Sequence, residues 1–172
     1  MRTTVIAASA MAGIGIAVFT LWPRNTDHRM LNPKFPTVEG RYQMTAGWAV
    51  TLPGKFNRRL EDGSLVFWRP GITAWTNVWE NNKRESREDR LKWISGDASA
   101  DSFDAETHVD ANVTRFAYRL TERREKAAVH AVHAFAIGQD GHVQMAIYFD
   151  NEDDLRIAKQ LWNSLEETRP NP

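Results

Sequence analysis

Cysteine is absent from all 172 residues, which removes disulfides, thiolate metal sites and cysteine nucleophiles. An excess of either charge is absent too: 22 Lys plus Arg stand against 22 Asp plus Glu. A dedicated nucleic-acid binder shows net basic character, so nucleic acid is not an expected partner. The chain also lacks G-x-S-x-G, a Walker-type phosphate loop and H-E-x-x-H, the marks of an acyl-transfer nucleophile, a nucleotide site and a zinc hydrolase. No spacing singles out a glycosidase pair among the acids. No catalytic residue, metal ligand or cofactor is assigned.

A third absence is local. From Thr3 to Trp22 there is no charged side chain: TTVIAASAMAGIGIAVFTLW. As a helix this run would be about 30 Å long, the thickness of a bilayer's hydrocarbon core. Arg2 and Arg24 bracket it, and Trp22 sits where interfacial aromatics are favoured. The competing readings are a cleaved signal peptide and a buried helix. Against cleavage, no A-x-A site comes after the run, and Ala8-Ser9-Ala10 lies too early. The expectation is an uncleaved N-terminal transmembrane anchor at 1–22. Positive charges tie across it, with Arg2 and the α-amine on one side and Arg24, Arg29 and Lys34 with Asp27 on the other. The very short N-terminal tail tips the choice towards N-in, with the remainder in the periplasm of a bacterial inner membrane. Ser9, Gly13 and Ala17 recur every four positions, which permits close helix approach.

Beyond the anchor the chain divides into a linker at 23–39, a globular domain at 40–168 and a tail at 169–172. PRNTDHRMLNPKFPT, residues 23–37, holds three prolines and no period, and regular structure is expected from near Arg41. Trp48, Val50 and Leu52 alternate in a first strand. FNRRL and LVFWR flank Glu61-Asp62-Gly63-Ser64 as a hairpin, and Pro70-Gly71 suits a type II turn into ITAWTNVW. Residues 84–94, RESREDRLKWI, compose an exposed helix with Leu91 and Ile94 on its buried edge and Gly96 to stop it. Residues 95–111 lack periodicity and are expected to be loop. VTRFAYRLT, AVHAVHAFAIG and HVQMAIYF are strands, the last two joined through Gln139-Asp140-Gly141. A two-residue Asp140-Gly141 loop would set His133 opposite Tyr148 and Val132 opposite Phe149. Asn151 caps a final helix whose Leu155, Ala158, Leu161, Trp162 and Leu165 form an apolar stripe. The predicted fold class is α+β, a twisted antiparallel sheet packed with helices, one of them C-terminal.

Tryptophan is the abundant residue. Three of the seven fall in LVFWRPGITAWTNVWE, residues 65–80. Pairing across Pro70-Gly71 puts Val66, Trp68, Trp75 and Trp79 on one face and Leu65, Phe67, Ala74 and Val78 on the other. Two apolar faces favour packing over display. The alternative is a partner-binding surface formed by Trp68, Trp75, Asn77 and Trp79, since half-exposed indoles readily grip a ring or peptide side chain.

Other constellations are weaker. His130, His133 and His142 are the one candidate metal cluster, but residues three apart on a strand point to opposite faces. His108 and Asp110 could form an acid/base pair, with no nucleophile beside them beyond Ser99 or Ser102. Arg84, Arg87 and Arg90 are interrupted by Glu85, Glu88 and Asp89, the pattern of a solvated helix face. ERRE at 122–125 reads as a charged hairpin tip.

The W-x-V-x-L-P lead-in at Trp48 and the closing A-x-x-L-W-x-S-L helix resemble the PsbP/DcrB-like α/β sandwiches, over roughly residues 40–167. The runs FNRRLEDGSLVFWRPG (56–71) and DGHVQMAIYFD (140–150) look similar to text in a group of short bacterial membrane-anchored proteins. The resemblance implies a small exported or tethered domain and carries no catalytic residues. The function expected is non-catalytic protein binding at the periplasmic face. The alternatives are an immunity protein against a secreted toxin, and a small-molecule carrier or enzyme with a pocket between sheet and C-terminal helix.

Overall fold

The computed structural model describes residues 30–124 and 127–168. The expected anchor at 1–22, the first part of the linker, the end of the 122–125 turn and the tail at 169–172 lie outside the described residues. Among the described residues no helix is long and apolar enough to cross a membrane.

Four strands come first: β1 (Thr37–Thr45), β2 (Trp48–Glu61), β3 (Ser64–Arg69) and β4 (Ile72–Glu80). Helix α1 (Arg87–Gly96) comes next, then β5 (Phe103–Val109), β6 (Thr114–Arg124), β7 (Ala127–Ile137) and β8 (Gly141–Phe149). Helix α2 (Glu152–Asn163) and the short β9 (Glu166–Glu167) close the domain. The strands form one antiparallel sheet in the order β1-β2-β3-β4-β8-β7-β6-β5, with β9 pairing the start of β2. The fold is α+β, as expected.

Local chemistry explains the turns. Asp62 and Gly63 both take positive φ, 49° and 83°, the two left-handed residues that a type I′ hairpin requires between β2 and β3. Gly71 (φ 81°) turns β3 into β4, with Arg69 opposite Ile72. At α2 the Asn151 side chain accepts from the Asp153 and Asp154 N–H groups at 3.0 and 3.1 Å, and the acidic first turn complements the helix dipole.

Each sheet face has its own cover. On one, Leu155, Ala158, Leu161, Trp162 and Leu165 of the C-terminal segment meet Val143, Met145, Ile147 and Phe149 of β8 and the inward residues of β2, β3, β4 and β7. Burying each such side chain contributes about 1.5–3 kcal/mol, so this layer holds most of the core. On the opposite face Val66, Trp68 and Trp75 pack with Ala131, Ala146 and Tyr148. Further along that face Ile94 of α1 packs on Phe116, Tyr118, Phe135 and Ile137.

Three expectations change. The linker is shorter than expected: β1 begins at Thr37, and the residues before it are already docked. Buried Asn57 accepts from Asn32 N (2.5 Å) and donates to Phe35 O (3.1 Å) and Thr37 Oγ1 (3.2 Å), and the Phe35 ring meets Trp68 edge-on at 4.9 Å. The expected loop at 95–111 contains β5, an edge strand with solvated side chains on both faces and so no alternation to read. The β7–β8 register also differs. The two-residue loop is Gln139-Asp140, so His133 lies opposite Ala146 and Val132 opposite Ile147. Gly138 N donates to Gly141 O at 2.9 Å, which makes Gly141 a strand residue.

Gly141 has a steric reason to be there. It lies opposite Glu80 at the end of the β4–β8 pairing, and a Cβ on it would collide with the Trp79 carbonyl. Gly141→Ala is therefore expected to push β4 from β8 and to cost about 1–3 kcal/mol or more, whereas the same change at Gly47, where a Cβ meets nothing within 4 Å, leaves packing intact. Urea unfolding of the two variants checks this; equal stability would show that the seam tolerates a side chain.

Candidate functional site

The four residues proposed as a partner surface do not lie together in solvent. Trp68 is 0% and Trp75 4% exposed. Both are packed in a core layer, as the two apolar faces favoured and against the alternative of a displayed surface, because Ala131, Ala146 and Tyr148 from β7 and β8 complete the layer beside them. The Arg59 guanidinium lies over the Trp68 ring at 4.7 Å, with Phe35 against it. Asn77 is half-buried and accepts from Ser64 Oγ at 2.9 Å, a cross-sheet tie. Only Trp79 of the four is exposed, at 46%.

Trp79 has two neighbours that sequence reasoning did not join to it. Its indole stacks on His142, with ring centroids 6.3 Å apart and planes at 17°. Trp93, on α1 and 38% exposed, meets the same imidazole edge-on at 5.7 Å. The corrected hairpin register puts His142 between Trp79 on β4 and Ile137 on β7. His142 is 8% exposed. Burial, with the Arg90 charge adding to it, pulls its pKa down to about 4. At neutral pH the cluster is therefore two exposed indoles on a neutral, fixed imidazole.

Asn81 positions α1 for this contact. Its backbone N–H donates to Asp140 O at 2.8 Å, and its side-chain amide donates to Gln139 O and Glu85 O, both at 2.9 Å. Its side-chain oxygen accepts from Glu85 N at 2.9 Å. Ser86 then caps α1 by accepting from Asp89 N at 3.0 Å. Along α1, Arg90 is not on a solvated face as expected: it is 2% exposed and donates through Nη2 to the carbonyls of Gly138 and Gln139. The spacing of Arg90 from Ile94 is the helical i, i+4 that marks a shared face, so the signal existed but was masked by alternating charge.

The remaining candidates separate. His130 stacks on Phe149 and His133 on Tyr118, on opposite sheet faces. Among the described residues no three His, Asp or Glu side chains converge on a cation position. His108 faces Glu106 at 3.5 Å, not Asp110, which pairs with Arg115. Glu122 Oε1 accepts from the Tyr148 hydroxyl at 3.1 Å and lies 3.3 Å from His133 Nε2. Burial, helped by the Glu122 charge, raises the Tyr118 pKa. Between sheet and α2, Trp162 and Leu161 are fully buried in the packing, and a cleft of about 260 Å³ lies at the start of α1.

No family model matches the chain, and no curated protein matches it. A crystal structure at 1.50 Å resolution of a protein from Bacteroides thetaiotaomicron is similar, with a TM-score of 0.59 and 11% identity. The match covers 76% of this chain and 49% of that protein, so the chain spans about half its length. At that identity the likeness concerns the fold alone.

The His142 environment sets a pH dependence. The unfolded chain protonates His142 near its ordinary 6.5, whereas the folded one does so only near about 4. Between those values the unfolded state binds more protons, so stability falls as pH drops through this window and levels off below it. The loss attributable to His142 is roughly 3 kcal/mol. His142→Phe, which keeps an aromatic ring, should remove that part of the slope in urea unfolding at pH 7, 5.5 and 4. An unchanged slope would mean that the imidazole is charged in the fold.

Proposed function

We propose that this protein is a non-catalytic binding domain, tethered to the bacterial inner membrane through residues 3–22 and facing the periplasm, which grips a protein partner through Trp79 and Trp93. One observation carries the binding surface: two exposed indoles, from different elements, share a buried neutral imidazole. A pair held this way loses little side-chain entropy on binding, and tryptophan is among the residues that dominate interface energies. Scattered exposed apolar residues such as Leu60 and Val109 have no such support and need no partner to explain them. The uncharged run at 3–22 supports the tether. The W-x-V-x-L-P lead-in and the closing helix support kinship with PsbP/DcrB-like sandwiches.

Trp79→Ala and Trp93→Ala should each weaken partner binding by about 2 kcal/mol, roughly thirtyfold, with little change in unfolding midpoint because both rings are half in solvent. Photocrosslinking in cells from a benzoylphenylalanine at position 79 or 93 should trap a protein, and the same probe at position 60 should not. Equal yields from all three positions would remove the aromatic pair from consideration. Activity of a C-terminal alkaline phosphatase fusion at full precursor mass is the result expected for the tether; fluorescence of the matching GFP fusion without phosphatase activity would put the domain in the cytoplasm.

A further inference from the structure

Helix α1 meets the sheet through few side chains. Arg90 and Ile94 are its buried residues, with Leu91 half-buried beside Ile94. Trp93 adds the edge-on contact to His142, which in turn stacks on Trp79. The chain leaves α1 through residues 97–102, DASADS, a run in neither helix nor strand. An element with so little buried apolar surface belongs to the low-stability end of a fold and can open while the sheet stays closed.

The groups packed on His142 all favour its neutral form. From α1 comes the Arg90 guanidinium, buried and bonded to the loop carbonyl of Gln139; the helix's other charges, Arg87, Glu88, Asp89 and Lys92, lie wholly or partly in solvent. From β4 comes Trp79 and from β7 Ile137, neither of which titrates. Glu80 and Asp140, the acids at the two strand ends beside it, are exposed. Burial and the Arg90 charge both work against an imidazolium here, and no carboxylate among the described residues offsets them. A proton on His142 thus sets a second buried cation near Arg90, and moving α1 off the sheet wets the imidazole and separates the two charges.

We propose that α1 is an acid-released clamp: protonation of His142 undocks the helix, carries Trp93 away from Trp79 and dismantles the aromatic surface, so that a protein partner held at neutral pH is let go in acid. The release rests on the aromatic pair as the binding surface; the undocking does not. Linkage gives the direction. With α1 open His142 titrates near its ordinary 6.5, and with α1 docked near about 4, so the open form takes up the proton first as pH falls. Between pH 7.5 and pH 5 the open-to-docked ratio should rise about thirtyfold.

Hydrogen exchange of the full chain in mild detergent at the two pH values, corrected for intrinsic rates, tests the undocking without any partner. Amides of α1 should exchange through an opening of lower free energy than that of β4 and β8, and this opening should grow about thirtyfold at pH 5. In His142→Phe, or in His142→Gln should the first variant not fold, the growth should vanish. An α1 that exchanges only together with β4 and β8, or that opens equally at both pH values, would overturn the clamp. Crosslinking in cells from a benzoylphenylalanine at position 79 reads the release, and its yield should fall severalfold when the medium is shifted from pH 7.5 to pH 5. A yield that holds while α1 opens would overturn the release, whereas no crosslink at either pH would remove the aromatic surface itself and leave the exchange result to stand.

Discussion

The pairing of β4 with β8 joins two sheet halves that are far apart in sequence. All nine residues of β4 take part, from Ile72 opposite Phe149 to Glu80 opposite Gly141. On one side β1 to β4 run as a meander, and on the other β5 to β8 do the same. Neither half closes a core alone: α2 lies across β2, β7 and β8, and the opposite face needs Trp68 and Trp75 from one half with Ala131 and Tyr148 from the other. Antiparallel register along this seam therefore decides which side chains meet on both faces at once.

The aromatic cluster and the buried Arg90 sit at one end of the seam. Trp79 is opposite His142, and one residue on, Gly141 lets the Trp79 carbonyl come close. The chain then reaches Asn81, which ties the Gln139-Asp140 loop to the start of α1. Arg90 returns from α1 to the same loop, and Glu167 reaches it from β9. The aromatic pair and the buried guanidinium thus share a frame. A stacked, neutral imidazole on one side and a buried guanidinium on the other also explain each other in part, since the Arg90 charge helps to keep His142 unprotonated.

Much of this fold was legible in the chain because the signals were local. Asp62-Gly63 and Pro70-Gly71 fixed two turns by backbone chemistry, Asn151 marked the start of α2, and the apolar stripe of α2 emerged from a simple period. The features that were not legible depended on distant partners. β5 is solvated on both faces and pairs only at the sheet edge, so nothing in FDAETHV alternates. The β7–β8 register turned on whether Gly141 served the turn or the seam, which only the position of β4 decides. That Trp68 and Trp75 pack was legible from the two apolar faces of their strands, but what covers them was not, since Ala131, Ala146 and Tyr148 come more than fifty positions later. Arg90 looked solvated because its neighbours in sequence are acids, although its neighbours in space are loop carbonyls. Trp93 and His142 carried no motif at all; only the fold brings them to Trp79.

If the rest of the structure hangs on the seam, the two halves of the sheet cannot open separately. Native-state hydrogen exchange across a denaturant series measures this directly. Amides of β4 and β8, together with those of β2, β7 and α2, should exchange only through global unfolding and converge on one free energy, while the edge strand β5 opens more readily. Exchange of the β4 and β8 amides at a free energy well below the global value, with either half still protected, would contradict a seam that holds both halves.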